Sequence, residues 1–305
     1  MSKVNILYYH RINDIQNDRH LLCVTPENFE QQLKFLKHNY NILRFEEDWS
    51  QTDRDSIVIT FDDGYMDNLT HALPILEGEN IPATVFVSTG NMEKNCELWW
   101  DELETVLFTG DIFPKELRLK DDTYGCRWDT ATYKQRENCY KALHYMMKNW
   151  ITVDERETWL EQLWKWRSME KMLEPTHLTL TKDACRKLAM SKYITVGAHT
   201  VNHPALAKLP YKQQENEIID SIRDLEKLLG NEIDMFSYPF GSLGNDFDKE
   251  TEEICKKAGI KKAAATTSGL WTNGMGHYDI PRNCIRNWGI FEFEAKIRSI
   301  FEENT

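Results

Sequence analysis

The chain has 305 residues, 41% of them hydrophobic and 28% charged, the make-up of an ordinary globular protein with room for one large domain or two smaller ones. Its formal net charge of −12 excludes a partner held by its phosphate backbone, because nucleic-acid binding depends on Lys and Arg neutralising phosphates. The seven cysteines are scattered, odd in number and never spaced Cys-x-x-Cys, which excludes a disulfide framework or thiolate zinc site and predicts reduced thiols in a cytoplasmic protein.

Residues 4–9 read as a first strand ending at His10-Arg11. This apolar run is too short for a signal-peptide core, and no stretch approaches membrane-spanning length. Thr25-Pro26-Glu27 is a helix start with Thr as N-cap and Pro at the first helical position, and Phe29, Leu33 and Leu36 fall on one face. Strands follow at 41–43, 57–61 and 83–87, with a helix from Tyr65 to about Leu76 between the last two. Further strands are predicted at 193–198, 235–238 and 262–266. A helix over 211–229 carries Ile218, Ile222, Leu225 and Leu229 on one stripe and stops at Gly230. A shorter helix ends near Gly259, and the last covers about 288–301. Strands alternating with helices predict parallel βαβ units, and seven strands fit either an open doubly wound sheet or a closed barrel.

Residues 91–190 break the alternation. They hold many helix formers and seven tryptophans, including Trp99 and Trp100, and predict a largely helical insertion within a single 1–305 domain. The aromatics of Leu98-Trp-Trp-Asp-Glu-Leu103 suit either a stacking platform for sugar rings or, at helical spacing with Val106, a core; the core is favoured. Asp101 and Glu102 are expected to be solvated.

Two stretches carry chemistry. The apolar run 57–61 ends in Asp62-Asp63-Gly64, which by itself also fits a turn with Asp63 capping the next helix. His199 and His203 stand four apart beyond a strand end; such a pair binds a divalent metal when a carboxylate joins it, although alone it fits a surface or hydrogen-bonded pair. What connects them is position. His10, Asp62-Asp63, His199 with His203, and Ser237-Tyr-Pro-Phe-Gly241 each follow a predicted strand, and parallel α/β proteins build their sites at strand carboxyl ends.

Thr60-Phe-Asp-Asp-Gly64, His199-Thr-Val-Asn-His203 and Ser237-Tyr-Pro-Phe-Gly241 resemble, in order, the first three motifs of the polysaccharide deacetylases, the NodB homology domain of carbohydrate esterase family 4. The resemblance covers roughly residues 3–90 and 191–300. It implies a distorted (β/α)7 barrel, a divalent metal, usually zinc with cobalt or nickel as alternatives, on Asp63, His199 and His203, and Asp62 as general base. The common C-terminal Leu-x-His acid is missing. Instead Ile6-Leu-Tyr-Tyr-His10 is similar to the permuted branch of poly-N-acetylglucosamine deacetylases, which makes His10 the candidate acid. The arginine that often opens the third motif is missing too, so Arg282 is assigned to hold Asp62. A backbone N–H at the turn around Tyr238 and Pro239 is the candidate oxyanion donor.

The chemistry fits hydrolysis of an acetamide, a poor electrophile that needs an activated water, a stabilised oxyanion and a protonated leaving amine. The expectation is a metal-dependent N-deacetylase for an N-acetylated amino sugar, in a glycan or in a lipid-linked or nucleotide-linked precursor, with peripheral membrane contact through the insertion. The alternatives are a same-fold hydrolase of imides or ureides, a non-catalytic glycan binder, and a structural metal site; three predicted ligands argue against the last.

Overall fold

The computed structural model describes residues 3–15, 18–93, 96–120 and 125–303, and they fall into two compact units, Met1–Lys94 with Thr179–Thr305, and Asn95–Leu178. In the first unit the elements are strands β1 (Lys3–Tyr9), β2 (Arg11–Ile12) and β3 (Cys23–Val24), helix α1 (Pro26–Asn39), β4 (Asn41–Leu43), β5 (Ser56–Phe61), α2 (Leu73–Glu79) and β6 (Ala83–Val87). The second unit contributes α3 (Trp99–Phe108), a hairpin of β7 (Glu116–Lys120) and β8 (Gly125–Asp129), α4 (Tyr133–Asn149) and α5 (Val153–Arg167). The first unit resumes with α6 (Lys182–Ala189), β9 (Ile194–Ala198), α7 (Tyr211–Leu229), β10 (Met235–Ser237), α8 (Lys249–Lys257), β11 (Lys262–Ala264), β12 (Trp271–Thr272), β13 (Asn283–Cys284) and α9 (Ile290–Glu303).

The principal sheet runs β11-β10-β9-β6-β5-β1, all parallel. It closes on itself. Ile280 bridges Ala264 of β11 in parallel, and the same segment continues into β13, which pairs Leu7 and Tyr8 of β1. The first unit is therefore a distorted barrel of parallel staves. The number seven is right, but its membership differs from the sequence reading. β4 pairs only Ser56–Val58, the starting half of β5, while β6 takes the same strand at Thr60 and Phe61. The seventh stave is the 280–284 segment, which has no apolar run to announce it.

Period-two alternation sorts the residues of each stave. Leu7, Tyr9, Ile57, Ile59, Phe61, Val85 and Val87 join the cluster that packs under the surrounding helices. Val4, Ile6, Val58, Phe86, Met235, Ala264 and Ile280 belong to a second cluster, inside the barrel. Strands apolar on both faces read as continuous hydrophobic runs, which is why 57–61 stands out in the sequence. Extending the inward parity along the chain gives Thr60 and Asp62 after Val58, Ser237 after Met235, and Arg282 after Ile280.

Local signals set the helices. Thr25 caps α1 by accepting from Asn28 N–H, with Pro26 at the first position. Helix α7 ends at Gly230, whose φ of 76° supplies the left-handed C-cap. In the second unit, Trp99, Trp100, Leu103 and Val106 are buried and form core. Asp101 and Glu102 are buried as well, correcting the expectation that they are solvated. Glu102 accepts from Trp164 Nε1 (2.7 Å) and Lys171 Nζ (2.6 Å), which is how a buried carboxylate is tolerated. The hairpin is the element that the helical reading of this region missed.

Candidate active site

Four staves deliver the expected residues to one end of the barrel. Asp62 and Asp63 follow β5, His199 and His203 follow β9, Ser237 closes β10, and His10 follows β1. Asp62, Asp63, His199, His203 and Arg282 are all at least nine-tenths buried.

The two neighbouring aspartates part company at once. Asp62 keeps the extended path, its N–H donating to Tyr9 O (3.0 Å), and its inward parity aims it at Arg282. Asp63 turns into the left-handed region at φ 74°, followed by Gly64 at 75°. A Cβ at Gly64 would lie 2.9 Å from Val87 Cγ1, so glycine is required both by φ and by space. Thr200, His203 and Phe240 also have positive φ. Such strain at four non-glycine residues around one site persists only where the surrounding packing dictates it.

Arg282 is fully buried and spends every nitrogen. Nη1 donates to Asp62 Oδ1 (2.8 Å) and Nη2 to Oδ2 (2.6 Å), a two-pronged ion pair. Nη1 also reaches Thr60 Oγ1 (3.1 Å), Nη2 reaches Ser237 Oγ (2.8 Å), and Nε reaches Ala265 O (2.8 Å). The Tyr8 ring lies 4.6 Å from its carbon centre. Burial alone would raise the Asp62 pKa, but the Arg282 charge and hydrogen bonds outweigh it and the net shift is downward.

Asp63 Oδ1 lies 3.3 Å from His199 Nε2 and 3.2 Å from His203 Nε2, and one atom from each residue lies within 4.8 Å of the others. His199 Nδ1 sits 2.7 Å from Ser237 O. A carbonyl only accepts, so Nδ1 carries the proton. In the neutral ring Nε2 is then bare and confronts a carboxylate oxygen, lone pair against lone pair, in a buried site. A cation shared between them, or a second proton on the ring, resolves that opposition. Two imidazoles and one carboxylate, with a backbone carbonyl fixing one tautomer, are a donor set that suits a divalent metal with positions left open. Burial acts to raise the Asp63 pKa, and where both imidazoles carry a proton on Nε2 their hydrogen bonds override it, holding the carboxylate well below its ordinary range.

His10 is half-buried with its ring edge against Tyr8, centroids 5.5 Å apart. Burial lowers its pKa, and the charges of Asp63 and Asp62 oppose that shift.

One expectation fails. The Tyr238 N–H donates to Ala264 O (3.1 Å) in the barrel, its hydroxyl donates to Tyr278 O (2.9 Å), and its ring stacks on Phe247. Tyr238 is fully buried, and both its backbone N–H and its hydroxyl are spent inside the barrel. Pro239 is buried, lacks an N–H, and accepts from Gly241 N–H (2.7 Å) to close the turn. The residue of this turn that faces the cluster is Phe240, its ring edge-on to His203 at 4.8 Å.

Sequence reasoning also passed over Ser237 and Thr60. Ser237 joins the two halves of the site, its hydroxyl accepting from Arg282 and its carbonyl from His199. Thr60 accepts from Arg282 and donates to Leu7 O (2.9 Å). Their signal was inward parity on the same staves as Asp62 and the Tyr-Pro-Phe-Gly turn.

A family profile described as polysaccharide deacetylase matches residues 50–115 and 121–263. The Bacillus subtilis (strain 168) protein YxkH, whose own assignment as a polysaccharide deacetylase is provisional, is 22% identical over 288 residues, 92% of this chain and 71% of that one. Among solved structures, the Streptococcus pyogenes deacetylase PplD, in complex with acetate, superposes with a TM-score of 0.61 at 19% identity, covering 98% of both chains. IcaB from Ammonifex degensii gives 0.60 at 16% identity, covering 93% of this chain and 92% of its own. These likenesses share the barrel fold.

Proposed function

The chain belongs to the polysaccharide deacetylase family, and from that premise we propose that it is a metal-dependent N-deacetylase that hydrolyses the acetamide of an N-acetylated amino sugar and releases acetate. The observation that carries the reading is the division of labour between adjacent carboxylates, Asp63 against two imidazoles and Asp62 in the fork of Arg282. A divalent cation on Asp63, His199 and His203, zinc first with cobalt or nickel as alternatives, would polarise the amide carbonyl and acidify a water.

Asp62 takes the proton of the attacking water. Arg282 keeps it ionised at neutral pH and fixes its plane, so both the charge state and the direction of the base are set before substrate arrives. His10 protonates the leaving nitrogen. Burial lowers its pKa, which makes its protonated form the stronger donor. PplD was crystallised with acetate, the product that this reaction would release. A cytoplasmic setting, and with it a nucleotide-linked or lipid-linked precursor, draws support from the free thiols of Cys23, Cys139, Cys185, Cys255 and Cys284. No described helix is long and apolar enough to cross a membrane.

The test is acetate release from a panel of acetamido sugars by protein loaded with zinc, cobalt or nickel, with Asp62→Asn as an inactive control that still binds metal. No acetate from any sugar, with metal bound normally, would overturn the reading.

A further inference from the structure

His10 differs from His199 in how it is held. A backbone carbonyl orients the His199 ring, whereas His10 Nδ1 is buried without a hydrogen-bond partner. Nothing at that nitrogen fixes the ring, so its direction depends on the edge contact with Tyr8 and on the main chain of residues 10–12.

That main chain is gripped by the turn that follows the aspartate pair. Asn68 Nδ2 donates to His10 O (2.8 Å), Asp67 Oδ1 accepts from Ile12 N–H (3.1 Å), and His71 Nδ1 donates to Ile12 O (2.9 Å). Asp67 also accepts from Arg11 Nε (3.4 Å). Asn68 and Asp67 are almost wholly buried. The helix is widened to a π turn over Asn68–Ala72, a costly local form that recurs at functional sites. Asn68 Oδ1 is buried without a partner, so the side chain's hydrogen bonding is spent through Nδ2, on His10 O and on Asp67 Oδ1 (3.3 Å).

We infer that Asn68 is the positioning residue for the acid: by holding the His10 carbonyl it ties the acid to the same loop that carries the base and the first metal ligand. This rests on the reading of His10 as general acid. The stretch Asp62–His71 then sets acid and base together, and any shift of the Asp62-Asp63 loop carries His10 with it.

Leaving-group chemistry tests this. An amine must be protonated to depart, whereas a nitrophenolate leaves unaided, so loss of the acid harms amide cleavage and spares an aryl ester. The experiment compares wild type, His10→Asn, Asn68→Ala, the volume-preserving Asn68→Leu, and the double variant His10→Asn/Asn68→Leu. All are zinc-loaded and assayed on a β-linked N-acetylglucosamine oligomer and on 4-nitrophenyl acetate. His10→Asn should lose about a hundredfold or more in kcat on the amide, the usual worth of a general acid, and each Asn68 variant about tenfold. Both should keep KM within about twofold and the ester rate within about threefold, and the double variant should be no worse than His10→Asn. Equal losses on both substrates, additive losses in the double variant, or failure of both Asn68 variants to fold would make Asn68 merely structural and overturn the inference. If His10→Asn does not discriminate between the substrates, the acid assignment falls and takes the inference with it. A wild type active on the ester but on no acetamide would instead overturn the deacetylase reading, and the inference again with it.

Discussion

Replacing Arg282 by Met removes the cation and keeps most of the hydrophobic volume, leaving Asp62 in a site at most a few per cent exposed. Breaking a buried ion pair from one side costs about 3–5 kcal/mol, because the survivor is an uncompensated charge. Asp62 escapes part of that cost by taking a proton. At pH 7 the proton costs about 4 kcal/mol from a reference carboxylate pKa of about 3.9, at roughly 1.36 kcal/mol per pH unit, so the two figures agree. The sign follows from linkage. In the wild type the Asp62 pKa is lowered, so its stabilisation is present above the unfolded-state pKa and is lost as pH falls through the folded one. In Arg282→Met burial, the largest influence, loses its main opponent and is countered only by the weaker charges of His199 and His10, so the pKa rises and the penalty present at neutral pH is relieved on acidification. The difference between the two proteins is therefore largest near pH 7 and shrinks by half or more near pH 4.5. For a unit of this size about 3–5 kcal/mol corresponds to a Tm roughly 6–20 °C lower. Thermal melts of metal-free protein at the two pH values measure it, and other titrating groups cancel in the difference. Arg282→Lys should fall between, since an ammonium keeps the charge but not the fork. A loss below about 1 kcal/mol at pH 7, or equal losses at both pH values, would refute the reasoning.

Saturating zinc at about a hundred times its Kd should stabilise the protein by roughly 2.7 kcal/mol; a thermal shift should detect this in Asp62→Asn and find it abolished in Asp63→Asn, and a shift kept in Asp63→Asn would break the division between the two carboxylates. Gly64→Ala meets a positive φ and Val87 at 2.9 Å, so it should cost about 2 kcal/mol or more and lower kcat further than its stability loss explains, because both aspartates ride on that loop; near-wild-type activity would argue that the loop tolerates displacement. In the second unit, burial holds the Glu97 carboxyl up at about 7, against an ordinary 4.5. Its favourable contribution is present below the ordinary value and is lost as pH rises through about 7, so stability of that unit should decline from pH 4.5 to 7 in the wild type and less so in Glu97→Gln. Parallel declines in the two proteins would exclude Glu97 as the source.

Much of the barrel was legible because its signals are local. Helix α1 announces itself through Thr25-Pro26, and α7 through its apolar stripe and Gly230, both within a few residues of the ends they mark. The staves buried on both faces show as apolar runs. What sequence could not supply was the closing stave: the 280–284 segment carries one bridge to β11, two ladder pairs to β1 and a buried arginine rather than an apolar run, so its role is set largely by β1, nearly the full chain away. The β7–β8 hairpin did leave a trace, Leu117 and Leu119 alternating with charged residues and buried at alternate positions, but helix formers on either side obscured it. At the site, the aspartates and histidines were legible from type and spacing. The failure at Tyr238 was one of consistency: the expected strand over 235–238 already held Tyr238, and a residue in that ladder spends its N–H on Ala264 O.

The same register makes the base part of the barrel interior. Thr60, Asp62, Ser237 and Arg282 sit on three staves of one barrel and share one inward face, so the fork on Asp62 is an extension of the interior packing rather than a surface contact. Asp63, Thr200, His203 and Phe240 lie just beyond the staves, where the chain must turn sharply, and they carry the positive φ values. Order on one side and strain on the other meet at Ser237, whose hydroxyl serves Arg282 and whose carbonyl serves His199. A change that displaces Ser237 therefore disturbs the base and the metal ligands together, whereas a change at Asp62 or Asp63 separates them. That difference makes the paired aspartate variants the sharper probe of mechanism, and Ser237→Ala the probe of whether the two halves act as one.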